Sequence, residues 1–361
     1  MATYLLFMVM PIIVWFITTL FCRQPINSSD KLKRRYLIIC GILLFLMLGL
    51  RHYSVGSGDG GWYYNSWKYL SATSFSNFIK LLSIFDIENG YLTIVWILSR
   101  VFKDPQFIFV FYGLLISISV CRFLYKNCED VVMGLVMFST LGLWGFMVQG
   151  IRQGAAMCVC LFAVEFCKKR KPIQFFLLVA LAAMFHASAV VFAVAYIFAW
   201  LKMNVKGYFV VSVGAILSLF LLDRIFLLIN AVINDTYEIG FTEDTSGGFV
   251  TAAIYIMIVA VAVFVFREND PDTRNIELFF YMTLCGLVTF VMRYDINTIV
   301  QRISYYFMFG EMIVLPAIVN KALTGRQKIF ANAVIIALCL GIVAYKASYS
   351  TLVPYIFFWQ V

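Results

Sequence analysis

Long apolar runs follow one another along almost the whole chain, separated by short polar stretches in which lysine and arginine gather. A helix needs about 20 apolar residues to cross a bilayer core, and by hydropathy the runs predict spans at roughly 2–22, 36–50, 105–121, 131–148, 154–167, 172–185, 187–201, 207–222, 249–266, 276–292, 303–320 and 329–345. The fold class expected is therefore an all-α polytopic membrane protein with about 12 transmembrane helices, a single transmembrane domain over 1–361. Residues Tyr91 to Phe102 are apolar but too short for a span, so they predict a re-entrant or interfacial helix near 90–102 inside an outward segment, 51–104. If that stretch did span, the sidedness of the amino-terminal part would reverse. A second outward loop is expected at 223–248.

Composition agrees with the pattern. Hydrophobic residues make up 63% of the 361, charged residues 13%, and mean hydropathy is +0.90, which leaves no room for a soluble domain. A net charge of +9 on a soluble chain would suggest nucleic acid; here it points to basic residues retained on the cytoplasmic side. Eighteen of the 28 lysines and arginines fall in six clusters: Arg23 to Arg35, Arg122 with Lys126, Lys168 to Lys171, Lys202 with Lys206, Arg267 with Arg274, and Lys321 to Lys328. The twelve spans put all six on one side and both termini on the other. The first 22 residues lack a positive n-region and a cleavage site, so they read as a retained helix. The nine cysteines are scattered, mostly within apolar runs, and predict neither a disulfide framework nor a metal site. No cofactor is expected. The acidic residues Asp235, Glu238, Glu243 and Asp244 of the second loop read as a solvated surface.

Against this background a few polar residues stand out. Arg51, Arg152, His186, Arg293 and Arg302 each lie at an outward end of an apolar segment, marking a charged pocket that opens away from the cytoplasm. The stretch from Leu50 to Tyr64 combines Arg51, Asp59, several glycines and the aromatics Trp62, Tyr63 and Tyr64. Glycines let backbone amides approach a ligand and aromatics offer stacking faces for sugars, although a turn with an aromatic belt has the same composition. Gly56, Gly58 and Gly61 formally match GxGxxG, but a membrane span precedes them instead of a strand, which excludes dinucleotide binding. Arg152, in Gly150-Ile151-Arg152-Gln153-Gly154, is costly at membrane depth and needs a partner or a water-filled cavity. Its guanidinium suits bidentate phosphate recognition. The run 172–185 rises only about 21 Å, so His186 lies below the outer surface at a helix turn, where a histidine serves as a general base or as a hydrogen-bonded linker. Arg293 and Asp295 are close enough in sequence to neutralise one another, which makes Arg302, with no acid until Glu311, the better ligand candidate of the two.

These residues resemble the EpsG family of Wzy-type polysaccharide polymerases. The early pattern of arginine, glycine, aspartate and tyrosine is matched by Arg51, Gly56, Asp59 and Tyr63. The central "IRQG" is Ile151 to Gly154, "FH.SA" is Phe185 to Ala189, and "RI..Y" is Arg302, Ile303 and Tyr306. The similarity covers roughly residues 45–320, departing at Ala187, where many relatives carry proline. The resemblance implies a glycosyltransferase that joins undecaprenyl-diphosphate-linked oligosaccharide repeats on the outer face of the bacterial cytoplasmic membrane, for O-antigen, capsule or exopolysaccharide. It implies a lipid-linked donor and acceptor, with a chain-length regulator and a flippase as partners besides the bilayer. His186 (or Asp59) would be the base and Arg152 a catalytic cation, with Arg51, Arg302, Arg293, Gln153, Tyr63 and Tyr306 binding substrate, and no metal. A flippase of the same glycans, an O-antigen-type ligase and a membrane O-acyltransferase using His186 are the competing readings. Outward clustering of charge and the lack of a visible internal repeat favour the polymerase over a transporter.

Overall fold

The computed structural model describes residues 2–56, 59–84, 87–220, 248–266, 273–296, 298–347 and 352–360, and among these the regular structure is helical. Helices are the expected solution for an apolar chain in lipid, because they satisfy their backbone groups internally. Five are long and apolar enough to cross a membrane: Thr3–Cys22, Gln106–Asn127, Thr273–Val291, Gln301–Ala322 and Gly325–Tyr345, with a sixth if the bent pair Val131–Thr140 and Leu143–Gln149 is one span. The protein is thus a multi-pass membrane protein, but the expected twelve spans are not reproduced among the described residues. Several runs counted as spans prove short, bent or charged. Residues 172–201 form α10 (Pro172–Ala183), a 3-10 turn over Ala187–Val194 and the single turn α11 (Ala195–Phe198). The helix α9 (Ile151–Lys168) carries Arg152, Glu165 and Lys168.

The segment 51–104, expected as an outward loop with one helix, carries three helices among its described residues. It folds as α3 (Asp59–Ala72), α4 (Phe75–Ile84) and α5 (Asn89–Val101), the last coinciding with the short helix expected near 90–102. The second expected loop, 223–248, with its four acids, lies outside the described residues apart from Gly248.

Enclosure separates the helices. In Gln301–Ala322 most side chains are buried, whereas the amino-terminal α1 (Ala2–Cys22) and the last long helix, Gly325–Ala347, expose Phe21, Ile329 and Phe330. Such faces suit a lipid environment, in which apolar exposure costs nothing. At the centre, α2 (Asp30–Gly49) packs along α6 (Gln106–Asn127). A Cβ on Gly113 would lie 2.7 Å from the nitrogen of Gly49, so only small residues allow this backbone approach.

The basic ends of the helices meet each other. Lys126 bonds Glu165 at 2.7 Å, Arg122 pairs with the same carboxylate, Lys168 reaches Asn127 at 2.9 Å, and Asn320 reaches Glu129 at 2.8 Å. At the other end of α2 the carboxy-terminal segment 352–360 folds back as a strap. The His52 amide donates to Ile356 and the Phe358 amide to Leu50, both at 3.0 Å, and the Tyr355 hydroxyl donates to the Met47 carbonyl.

One glycine is indispensable to this arrangement. The expected span 131–148 breaks into α7 (Val131–Thr140) and α8 (Leu143–Gln149), bent by 53° about Gly142, whose φ is 116°. A side chain there enters a left-handed conformation that costs roughly 1–2 kcal/mol. Gly142→Ala is expected to lower the thermal unfolding midpoint of the detergent-purified protein; an unchanged or higher midpoint would show that the bend relaxes freely.

Candidate functional site

Asp59, Tyr63, Arg152, Gln153, His186 and Arg302, far apart in sequence, line one cavity of about 230 Å³. Gln149, Gln301 and Tyr305 complete its polar wall. Short breaks between helices bring them together: α9 begins just after Gly150 with Arg152 in its first turn, α3 begins at Asp59, and His186 sits in the turn after α10. Arg302 belongs to the helix Thr298–Phe307, held to α9 by Gln153, whose Nε2 donates to the Arg302 carbonyl at 2.6 Å. Tyr305 stacks on Phe146, ring centroids 4.1 Å apart, closing that wall.

A residue absent from the sequence reading organises the cavity. Glu88 is buried at the start of α5, with Oε1 2.6 Å from His186 Nδ1 and Oε2 2.5 Å from an Arg152 guanidinium nitrogen. The Ala187 amide donates to Oε1 at 3.3 Å. That bond needs the N–H which alanine has and proline lacks. The two turns touch directly: the Gly90 amide donates to the Met184 carbonyl at 2.8 Å, and a Cβ on Gly90 would stand 2.5 Å from that oxygen. The signal for Glu88 lay in Arg152 itself, since an arginine at depth calls for a carboxylate. Sequence offered Asp59, Asp86 and Glu88 without a means of choosing.

The electrostatics follow from this bridge, whose Glu88 and His186 lie between helices and outside the candidate spans. Burial alone would raise the Glu88 carboxyl, but the hydrogen bond from His186 and the charge of Arg152 outweigh it and hold the group down to about 2. Burial pushes His186 below its usual value, with Arg152 and Arg302 adding to the effect and Glu88 opposing it. At neutral pH the pair is carboxylate and neutral imidazole. Nδ1–H then faces Glu88, and the ring's lone pair resides on Nε2.

The remaining expected residues fall elsewhere. Arg51 does not line the cavity; it is fully buried beneath the strap, its guanidinium donating to the Val55 carbonyl at 2.7 Å and lying 4.5 Å over Phe109. Burial lowers it to about 10, so it stays charged at neutral pH and acts on the fold of the Arg51–Gly56 turn. Tyr306 stands behind the wall, its hydroxyl 3.0 Å from that of Ser188. Arg293 ends a helix, and its side chain, with that of Asp295, lies outside the described residues. Trp62 is outside the cavity lining, its ring 5.3 Å under the Arg152 guanidinium. Among the described residues no group of three or more metal-ligating side chains comes together. One D-x-D spacing does occur, Asp270-Pro271-Asp272, outside the described residues.

An all-helical, multi-pass membrane protein with one compact cavity of arginines, a histidine and carboxylates is the class that fold and site define. Within it, the chain belongs to the EpsG family, matched over residues 34–357, a family of Wzy-type polysaccharide polymerase-like membrane proteins. The match extends past 45–320 to residue 357, within the strap. No curated protein and no solved structure matches the chain.

With only two histidines in the chain, His186 is open to direct titration. Glu88 raises the His186 value, so Glu88→Gln in a His52→Gln background is expected to move the imidazole NMR titration to lower pH. A shift to higher pH would mean that the carboxylate is not the ring's partner.

Proposed function

We propose that the cavity catalyses polymerisation of undecaprenyl-diphosphate-linked oligosaccharide repeats on the outer face of the bacterial cytoplasmic membrane. Family membership gives a membrane protein of polysaccharide biosynthesis. The observation that carries the finer reading is the Glu88 bridge, which sets a cation and a neutral base side by side in one cavity. The site also lies at the amino-terminal end of α9, while Lys168 at its other end joins the basic clusters, some 26 Å away at 1.5 Å per residue. Basic clusters favour the cytoplasmic side, which supports an outward site.

In this reading a hydroxyl oxygen of one glycan attacks the anomeric carbon of another, and the bond from that carbon to the diphosphate oxygen breaks. His186 Nε2 takes the hydroxyl proton while Glu88 holds Nδ1–H and steadies the developing imidazolium. Arg152, Arg302 and the start of α9 stabilise the charge gathering on the departing undecaprenyl diphosphate. Asp59, exposed at the cavity mouth, is the second candidate base. The arginines supply the positive charge for which other glycosyltransferases use magnesium, so we propose metal independence. Transfer to a different acceptor, as in a ligase, uses the same chemistry. A flippase would need a charged path through both halves of the bundle.

Arg152→Ala and His186→Ala are each expected to slow polymerisation by about 10²-fold or more, leaving single-repeat glycan on gels of surface polysaccharide from a complemented deletion strain with normal membrane expression. Full ladders from both variants would remove the site from the mechanism. Loss of all surface glycan in the deletion strain would favour a transporter. The pH dependence has a definite sign: a base lowered below the ordinary histidine value stays unprotonated near pH 6.5, so the reconstituted rate should hold there and fall only in more acid solution. A rate falling as pH drops from 8 to 7 would contradict His186 as the base.

A further inference from the structure

On the outer flank of α2 and α6, away from the catalytic cavity, a groove of about 630 Å³ runs between the two helices. Its walls are Leu37, Ile38, Ile42, Phe45, Leu114 and Ile118, and Ile38, Ile42 and Ile118 are each about half exposed. Gly41 keeps the floor deep, since a Cβ there would already stand 3.1 Å from the Cys121 sulfur.

One end of the groove is cationic. Arg34, Arg122 and Lys126 line it. Arg122 and Lys126 share the carboxylate of Glu165, the lining Tyr125 hydroxyl donates to Asp30 at 2.8 Å, and Arg34 makes no ion pair among the described residues, so three cations against two carboxylates leave this end net positive. The other end is apolar apart from Ser117, whose hydroxyl is turned onto the Gly113 carbonyl at 2.8 Å. From Arg34 to Phe45 the helix rises about 16 Å, close to half of a bilayer core of about 30 Å. An apolar trough one leaflet deep with cations at its polar end fits an amphiphile with an anionic head and an extended hydrocarbon tail.

We propose that this groove is a binding site for an anionic phospholipid of the leaflet on the basic side. Its phosphate sits against Arg34, Arg122 and Lys126 and one acyl chain lies along Ile38, Ile42 and Ile118. The head group is at the end of α2 and α6 away from the catalytic cavity, so the site is distinct from that of the transferred glycan. Bound lipid bridges α2 to α6, the pair whose far ends carry the Arg51 turn and Gln106, which donates to the Gly49 and Arg51 carbonyls at 2.7 and 3.0 Å.

The test uses the full chain, purified and delipidated in detergent, titrated separately with dioleoyl phosphatidylglycerol, dioleoyl phosphatidylcholine and inorganic phosphate, with occupancy read by native mass spectrometry. A saturable phosphatidylglycerol site is expected, with phosphatidylcholine at least about fivefold weaker for each cation engaged, and no retention of phosphate alone. Arg34→Gln should bring the two lipids closer by about that factor. Ile118→Trp and Ile42→Trp, both on lipid-facing positions, should reduce phosphatidylglycerol occupancy while the protein still elutes as a single species. Equal binding of the two lipids, an unchanged preference in Arg34→Gln, or full occupancy in both tryptophan variants would overturn the assignment. So would displacement of phosphatidylglycerol by undecaprenyl phosphate at equal concentration, which would make the groove a polyprenyl site.

Discussion

A single buried carboxylate, Glu88, is the constraint on which the site depends. Alone, a glutamate at 5% exposure would carry a large desolvation cost, and so would Arg152 at the head of an apolar helix. Together they offset each other, and the second carboxylate oxygen fixes the tautomer of His186. Three segments with no local reason to meet, the turn before α5, the first turn of α9 and the turn after α10, are tied by one side chain. The proposed catalytic arrangement and the packing of these turns therefore rest on the same bridge.

The surroundings keep that carboxylate in place. Gly90 lets its turn press against Met184, and α5 is braced from outside by Arg100, which donates to the Leu70 carbonyl at 2.9 Å and to that of Thr73. Beneath the cavity the strap 352–360 pins the Arg51 turn, and Gly56, with φ of 104°, passes close to the Gln149 side chain in the cavity wall. Arg51 thus holds the floor of the site from behind.

Much of this was legible in the sequence. Composition gave the helical membrane class, the break after Phe185 placed His186 in a turn, and the isolation of Arg152 marked it as needing a partner. Six of the nine singled-out residues share the cavity, because polar side chains that an apolar chain tolerates tend to be gathered where they satisfy each other. What failed to show has a common cause. Hydropathy counts apolar residues along the chain but cannot see a bend such as that at Gly142, nor three short helices within 51–104 joined by contacts such as Tyr63 with Tyr91 and Phe78 with Trp96. Nor does it separate Glu88 from Asp86, since the partner of a buried arginine is chosen by tertiary contact. Arg51 stands apart from the cavity for the same reason: a buried cation can be satisfied by carbonyls and an aromatic face as well as by a ligand.

The most direct test of the central claim is a double-mutant cycle on the reconstituted polymerisation rate, using Glu88→Gln, Arg152→Gln and the two combined. Residues that act as one unit are strongly non-additive. If Glu88 works by holding Arg152 and His186, the double variant should be no slower than the worse single one. Losses that multiply independently would show that the carboxylate and the arginine serve separate ends, and would contradict the account.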